Sequence, residues 1–231
     1  MKRLQASKNY HIAKKVYKFT ILPMAGAHGK DRCIPLGIIL RDILGFAETL
    51  SEAKVILNKG LLLVDGKTAK DYKSSVGFMD TLSFPKIDKS YRIMLKNGKL
   101  VPVEIEIKNA SFKLGKIMVK MHVKGGKIQY GLHDGRTFLE DAKKAVYNIG
   151  DTVDISVPEQ KVRSHLPLNE GCVVMVTGGK HVSTVGKIKT IEIVKSPEPN
   201  MVLIDIDGTI LRTLKDYVFV IGKDKPLIKT E

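Results

Sequence analysis

Ser51, Lys54 and Asn58 recur about one helical turn apart, and Lys67 stands just past an Asp-Gly pair. Amines, amides and hydroxyls at this spacing, with no acid–base pair among them, suit a phosphate backbone better than a metabolite. A second lysine ends Gly178-Gly179-Lys180. That triplet has the look of a phosphate loop, but no glycine sits five residues before Gly179, and His181 replaces the Ser or Thr that should follow the lysine. The loop joins strand to strand and offers no helix N-terminus. Its backbone N–H groups and ammonium can still meet an RNA phosphate. His133-Asp134-Gly135-Arg136-Thr137 brings an imidazole and a carboxylate together, yet neighbours on a turn rarely face one another and no nucleophile lies nearby. It reads as a turn presenting Arg136, and His133 with it, to RNA or to a neighbouring domain.

Asp205 and Asp207 are the one tempting catalytic pair. The run Val202-Leu203-Ile204-Asp205-Ile206-Asp207-Gly208-Thr209 resembles the nucleophile motif of haloacid-dehalogenase-type phosphatases. In those enzymes the first aspartate attacks phosphorus, the second handles the leaving-group proton, and both help hold magnesium. A lysine and further carboxylates must then come from a Rossmann-like sheet. Only 22 residues follow Thr209, and they read as two strands. A β-hairpin with an Asp-Gly turn is the better reading. Cys33 and Cys172 fit no metal spacing and point to a reduced, cytosolic protein. No catalytic residue, metal ligand or cofactor is assigned.

The 231 residues include 39 Lys and Arg against 24 Asp and Glu, a net charge of +15. Such a balance matches a nucleic-acid binder. Aromatic content of 6% with no Trp favours shape and phosphate contacts over the stacking of many bases. An anionic membrane would also suit the charge, but the apolar runs fall far short of the ~20 residues that cross a bilayer. The basic N-terminus lacks the apolar core of a secretory signal.

These side chains need elements to hold them. Residues 1–32 carry eight cations against Asp31 and a turn-rich stretch at 23–30, so they are expected to bury little and to order against a polyanion. Pro35 suits the first turn of a helix whose Leu36, Ile39, Leu40, Ile43 and Leu44 share a face, with Gly45 as its stop. Thr49 and Glu52 form a capping-box pattern for a second helix that buries Ala53, Ile56 and Leu57 and ends at Gly60. A strand over 61–64, the Asp65-Gly66 turn and a strand over 81–84 complete that unit. From about Tyr91 the pattern is all-β. Asn97-Gly98 marks a hairpin. Residues 116–124 alternate, with Ile117, Val119, Met121 and Val123 on one face and Lys116, Met118, Lys120, His122 and Lys124 on the other. The last 60 or so residues read as a small barrel of about five strands.

With these patterns laid out, a resemblance emerges. Residues 50–67 resemble the core of the S4-type RNA-binding domain: a Ser-initiated helix, a Gly, then Val-x-Val-Asn/Asp-Gly-Lys. Residues 77–84 resemble its closing Gly-Asp-x-Ile-x-Val strand, and residues 171–188 resemble the KOW motif of small β-barrels. Their order, with His-Asp-x-Arg-Thr between them and a Phe-Val-Ile-Gly-Lys ending, is similar to the S-four-e family of small-subunit ribosomal proteins shared by archaea and eukaryotes. Lys2-Arg3-Leu4 and Ser7-Lys8 resemble that family's opening. Two departures stand out: Glu52 replaces the Arg of many S4-type helices, and Ser183-Thr184 occupies a stretch where KOW loops often carry glycine.

The resemblance implies an α+β, multi-module protein: a basic extension at 1–32, an S4-type module at 33–84, a β-rich central domain at 85–165 and an SH3-like KOW β-barrel at 166–231. It implies a non-catalytic constituent of the small ribosomal subunit, in the cytoplasm. Its partners would be small-subunit ribosomal RNA and neighbouring ribosomal proteins, with no membrane and no small-molecule substrate. Expected RNA contacts are Lys2, Arg3, Lys8, Lys14, Lys15, Lys18, Lys30, Arg32, Arg41, Lys54, Lys59, Lys67, Lys116, Lys120, Lys124, Lys127, Arg136, Lys180 and Lys187. The alternative is a KOW-type transcription factor acting with RNA polymerase.

Overall fold

The computed structural model describes residues 1–142, 145–206 and 208–228. They are mostly β-strand with few helices and form two compact units. The first comprises Met1–Lys113 with Val157–Gln160, and the second Leu114–Ser156 with the chain from Lys161 onward.

In the first unit, β1 (Cys33–Pro35) leads into α1 (Leu36–Ile38), which continues as a π-helical turn over Ile39–Ile43. Then come α2 (Leu50–Asn58), β2 (Leu63–Val64), β3 (Lys67–Thr68), β4 (Ser75–Gly77), β5 (Thr81–Phe84), β6 (Lys89–Lys96) and β7 (Lys99–Ile105). Strand β1 pairs with β4, and the other five make an antiparallel sheet ordered β3-β2-β5-β6-β7. Hairpin β6–β7, which the sequence reading puts beyond residue 84, therefore shares a sheet with the S4-type strands.

Orphan donors at the start of α1 are taken up locally. Leu36 and Gly37 N–H donate to the carbonyls of Ser74 (3.0 Å) and Tyr72 (2.9 Å). At its end Leu44 N–H reaches Ile39 O at 2.8 Å, five residues back, before Gly45 turns away at φ +66°. The capping box of α2 forms as read. Thr49 Oγ1 accepts the Glu52 N–H at 3.3 Å, and the Glu52 carboxylate takes the Glu48 N–H (2.9 Å) and the Thr49 hydroxyl (3.0 Å). Those bonds hold the Glu52 carboxyl below its ordinary range. Ala53 and Leu57 are buried, whereas Ile56 is half-buried. Asp65-Gly66 and Asn97-Gly98 both take left-handed φ (+47° and +71°; +51° and +71°), as two-residue hairpin turns of this type require.

Beneath this sheet lies a buried charge cluster. Lys113, at the start of β8 (Phe112–Val123), sets its ammonium against Asp65 Oδ2 at 3.0 Å and against Asp80 Oδ1. Asp80 Oδ2 meets His28 Nε2 at 2.9 Å and accepts the Gly77 N–H at 2.8 Å. Asp65 Oδ1 accepts the Thr81 N–H at 2.8 Å. Burial alone would push the Asp80 carboxyl up, but the Lys113 ammonium and the His28 and Lys113 hydrogen bonds outweigh it and hold the group well below the usual carboxylate range.

The N-terminal 32 residues bury more than their composition suggests, which corrects that expectation. Arg3, Ala6, Tyr10, Ile21 and His28 are buried, and Lys2 bridges to Phe19. Arg3 Nη1 donates to Ala13 O at 3.1 Å and the guanidinium sits over Tyr17, while His28 meets Asp80; Arg3 Nε and the Tyr10 hydroxyl are buried without a hydrogen-bond partner among the described residues.

The second unit has two sheets. Strands β9 (Lys127–Leu132), β10 (Thr137–Asp141), β11 (Thr152–Ser156) and β12 (Val162–Leu166) join β8 in the order β10-β9-β8-β11-β12. Ile117, Ile128, Tyr130, Leu132, Val153 and Ile155 form their core. The second sheet takes β13 (Val173–Val176), β14 (Val185–Glu192), β15 (Met201–Ile206), β16 (Thr209–Leu214) and β17 (Val218–Gly222) in the order β16-β15-β14-β13-β17.

The expected alternation in β8 holds inward only at Ile117. A register shift between Ile117 and Val119 precedes a stretch in which Val119, Met121 and Val123 are all exposed. Asp205, Ile206, Gly208 and Thr209 lie at the β15–β16 connection, where Ile206 pairs with Thr209 and Asp205 Oδ1 accepts the Gly208 N–H at 3.1 Å. Asp207 is outside the described residues.

Replacing Lys113 with Met leaves two carboxylates without their buried cation. We expect a loss of about 3–5 kcal/mol in urea unfolding. Because the folded-state pKa of Asp80 is depressed, its contribution is present above about pH 4 and is lost as pH falls through the folded value. Asp80→Asn should therefore flatten the acid limb of the stability profile, and an unchanged limb would remove Asp80 as its source.

Candidate nucleic-acid interface

The structure sorts the expected contact residues by what already occupies them. In the first unit Lys2, Lys8, Lys15, Lys18, Lys30, Arg32, Lys54, Lys59 and Lys67 are exposed. Arg3 is buried and leaves the contact set. Lys14 donates to Ala6 O at 2.7 Å, which ties it to its own segment. Arg41 makes a two-point pair with Asp42 (3.1 and 2.9 Å), and the bond to that carboxylate raises its pKa.

In the second unit Lys124, Lys127, Lys180 and Lys187 are exposed. Lys116 is not, which corrects its placement on a solvated face. It is 6% exposed, and its ammonium donates to the carbonyls of Asp216 (2.7 Å) and Val218 (2.8 Å), fastening β8 to the start of β17. Lys120 donates to Tyr147 O at 2.9 Å. The His-Asp-Gly-Arg-Thr turn is also internally committed: Arg136 Nε lies 3.2 Å from buried Asp134, and the His133 ring packs edge-on to Phe219 at 5.4 Å.

The His28–Asp80 and His165–Asp151 pairs are both tied into the fold. Asp80 is spoken for by the Lys113 cluster. Asp151 meets His165 at 2.8 Å while also accepting the N–H groups of Asn148 (2.9 Å) and Leu168 (2.9 Å), so it pins the chain entering β11.

The glycine-rich loop between β13 and β14 is built around Tyr217. Thr177 donates its N–H (2.7 Å) and hydroxyl (2.9 Å) to Tyr217 O. A Cβ on Gly178 would stand 2.7 Å from the Tyr217 ring, so the tyrosine can lie against the backbone only because that residue is glycine. Ser183, at the site where glycine was expected, adopts the left-handed φ of +76° all the same, with its N–H on Val176 O at 2.8 Å. Lys180 projects from the tip.

Sequence reasoning missed Tyr72 and Lys73. Lys54 Nζ lies 4.7 Å from the Tyr72 ring centroid and Lys73 Nζ 5.6 Å from it. The signal was present as Lys67-x-x-Lys70-x-x-Lys73 running through an Asp-Tyr turn.

Comparison with known proteins supplies the frame for this surface. An S4 domain model matches residues 38–82, and a model described as ribosomal family S4e matches residues 87–162. The chain is 44% identical to the small ribosomal subunit protein eS4 of Methanothermobacter thermautotrophicus, over 99% of this chain and 94% of that one. It is 43% identical to the eS4 protein of Archaeoglobus fulgidus, over 98% and 96%. The chain belongs to the S4e family. A crystal structure of the 30S ribosomal protein S4e from Thermoplasma acidophilum is similar to the present one, with a TM-score of 0.73 and 36% identity, covering 84% of this chain and 97% of that one. The S4 domain match runs from α1 into β5 and contains the capping box, Lys54, Lys67 and Tyr72. S4e proteins are structural proteins of the ribosome, not enzymes.

Gly178→Ala should cost about 1–3 kcal/mol by forcing Tyr217 off the loop. Denaturant unfolding at full stability would show that the ring does not need that close approach.

Proposed function

We propose that this protein is a structural constituent of the small ribosomal subunit, in the cytoplasm, where it binds small-subunit ribosomal RNA through cationic surfaces on both units and supports translation. The observation that carries this is 44% identity to an eS4 protein along almost the whole chain. The geometry supports it through exposed lysines on α2 and β3 and on two turns of the second unit. The contact set is Lys2, Lys8, Lys15, Lys18, Lys30, Arg32, Lys54, Lys59, Lys67, Lys124, Lys127, Lys180 and Lys187. Neighbouring ribosomal proteins complete its surroundings.

Four functional segments follow from this reading: an extension at 1–32, an S4-type module at 33–84, a β-rich central domain at 85–165 and a KOW-type barrel at 166–231. The Thr177–Lys180 loop, with its backbone bent around Tyr217, supports the KOW assignment, since it sets a lysine at the tip of a constrained turn. The relatives reported above are named as small ribosomal subunit proteins, which does not favour a role with RNA polymerase.

Affinity for ribosomal RNA should fall with salt as log K against log [salt], with a slope of about −0.9 per phosphate on duplex and −0.7 on single strands. Filter binding from about 50 to 200 mM salt measures it. A flat titration, or small subunits that sediment without this chain, would overturn the reading.

A further inference from the structure

The outer half of β8 turns an apolar face away from the core. The register shift between Ile117 and Val119 inserts Met118 as an extra residue and reverses the inward–outward alternation from there on. Paired residues of β8, β9 and β10 then form three rows: Val119, Gly131 and Thr137; Met121, Gln129 and Leu139; Val123, Lys127 and Asp141. Ile128 and Tyr130, which alternate with them on β9, point the other way and are buried. Val119, Met121, Val123 and Leu139 are 44%, 51%, 39% and 58% exposed. Scattered singly, such side chains would need no explanation, but four on adjoining rows of one sheet face make a contiguous patch.

The patch is also neutral. Of the nine residues in the three rows only Lys127 and Asp141 are charged, and they cancel, in a chain whose net charge is +15. A phosphate backbone gains little from such a face, whereas an uncharged apolar partner gains by burying it. Gly131 adds a second argument. Its φ is not left-handed, and a Cβ there would lie 3.4 Å from Val119 Cβ, an ordinary contact. The fold therefore does not require glycine at this position, and glycine inside a strand weakens it. What the missing side chain provides is a flat place where another backbone can lie close. Size narrows the choice further. Four apolar side chains fall far short of the roughly 20–30 residues a side in a stable interface, so the face is too small to hold a second copy of this chain. It suits an extended segment of a protein anchored elsewhere in the same assembly.

We propose that the outer face of β8, β9 and β10 docks an extended, uncharged apolar segment of a neighbouring small-subunit protein, whose backbone passes over Gly131 while its side chains pack against Val119, Met121 and Leu139. This rests on the ribosomal reading above and adds to it a contact made without phosphate.

The test puts photoreactive benzoylphenylalanine in place of Leu139 in the full-length chain, assembles it into small subunits in cells, irradiates the purified subunits and identifies the adducts by mass spectrometry. The expected adduct is a peptide of another ribosomal protein with apolar residues at alternate positions and no net charge. Adducts confined to ribosomal RNA or to a second copy of this chain, or no adduct in loaded subunits, would overturn the proposal. Met121→Glu and Gly131→Val, introduced separately and checked for folding by circular dichroism, should each lower the peptide adduct about tenfold, the worth of one buried apolar side chain. Full adduct yield in both places the contact elsewhere. Gly131→Ala separates docking from folding: the free chain should unfold at or above the wild-type midpoint, and a lowered midpoint would show that the glycine serves the sheet instead. Sedimentation is scored independently. A wild-type chain absent from small subunits strikes the ribosomal reading itself, whereas a chain present there without the peptide adduct strikes only the docking face.

Discussion

The first unit depends on one cation that never reaches solvent. Lys113 places its ammonium between Asp65 and Asp80, and the side chain is only 2% exposed. Desolvating three charges is expensive, and the arrangement holds only because each carboxylate has further donors: Thr81 for Asp65, His28 and Gly77 for Asp80. The consequence is positional. Asp65 opens the turn that presents Lys67, and Asp80 closes the loop that follows β4. Both ends of the S4-type strands are thus tied to a single point, and the N-terminal segment is tied to it through His28. A hydrophobic cluster could stabilise the same space, but it would not specify which carboxylate lies where.

The same sorting recurs throughout the chain. A net charge of +15 suggests a uniformly cationic surface, yet several cations serve the fold. Arg92, 1% exposed, donates to the carbonyls of Asn109 and Phe112 (2.7 Å each) and lies over the Phe112 ring. Lys116 joins two strands of the second unit through backbone carbonyls. Arg3 and Lys14 brace the N-terminal segment. Carbonyl oxygens are the common partner, because an ammonium or guanidinium can satisfy several of them where a sheet ends or a turn tightens. What remains outside includes Lys54 on the capped helix α2, Lys67 on β3 and Lys180 on the glycine-rich loop.

The turns and caps were legible in the sequence because their rules are local. Asp65-Gly66 and Asn97-Gly98 demand left-handed backbone, Thr49 and Glu52 satisfy a helix end, and Gly45 and Gly60 stop helices; each depends on neighbours within a few residues. The burial of Lys116 was not legible, since strand alternation places it beside Lys120 and only a partner one hundred residues away takes its ammonium inside. Arg3 failed for the same reason, through Ala13 and Tyr17. The outward run of Val119, Met121 and Val123 follows from a register shift that sequence does not announce. Ser183 errs in the opposite direction: the absent glycine cast doubt on a loop that takes the left-handed conformation regardless, held by the Ser183 N–H on Val176 O.

Low aromatic content was read as evidence against stacking on bases, and the aromatic rings of the structure account for it differently. Tyr217 supports the glycine loop, Tyr130, Phe138 and Tyr147 pack edge and face in the second unit, and Phe46, Phe84 and Tyr91 do so in the first. Tyr17, Phe19 and Tyr72, and with them Phe112 and Tyr130, are each approached by a lysine or arginine. A ring in contact with an ammonium is partly covered and is a poor platform for a base, but it restricts where a long side chain can point. A lysine so restricted gives up part of its rotamer freedom before RNA arrives, so less is lost when a phosphate is bound. With few aromatic residues, a chain that recognises backbone charge gains more from using them to aim its lysines than from exposing them to bases.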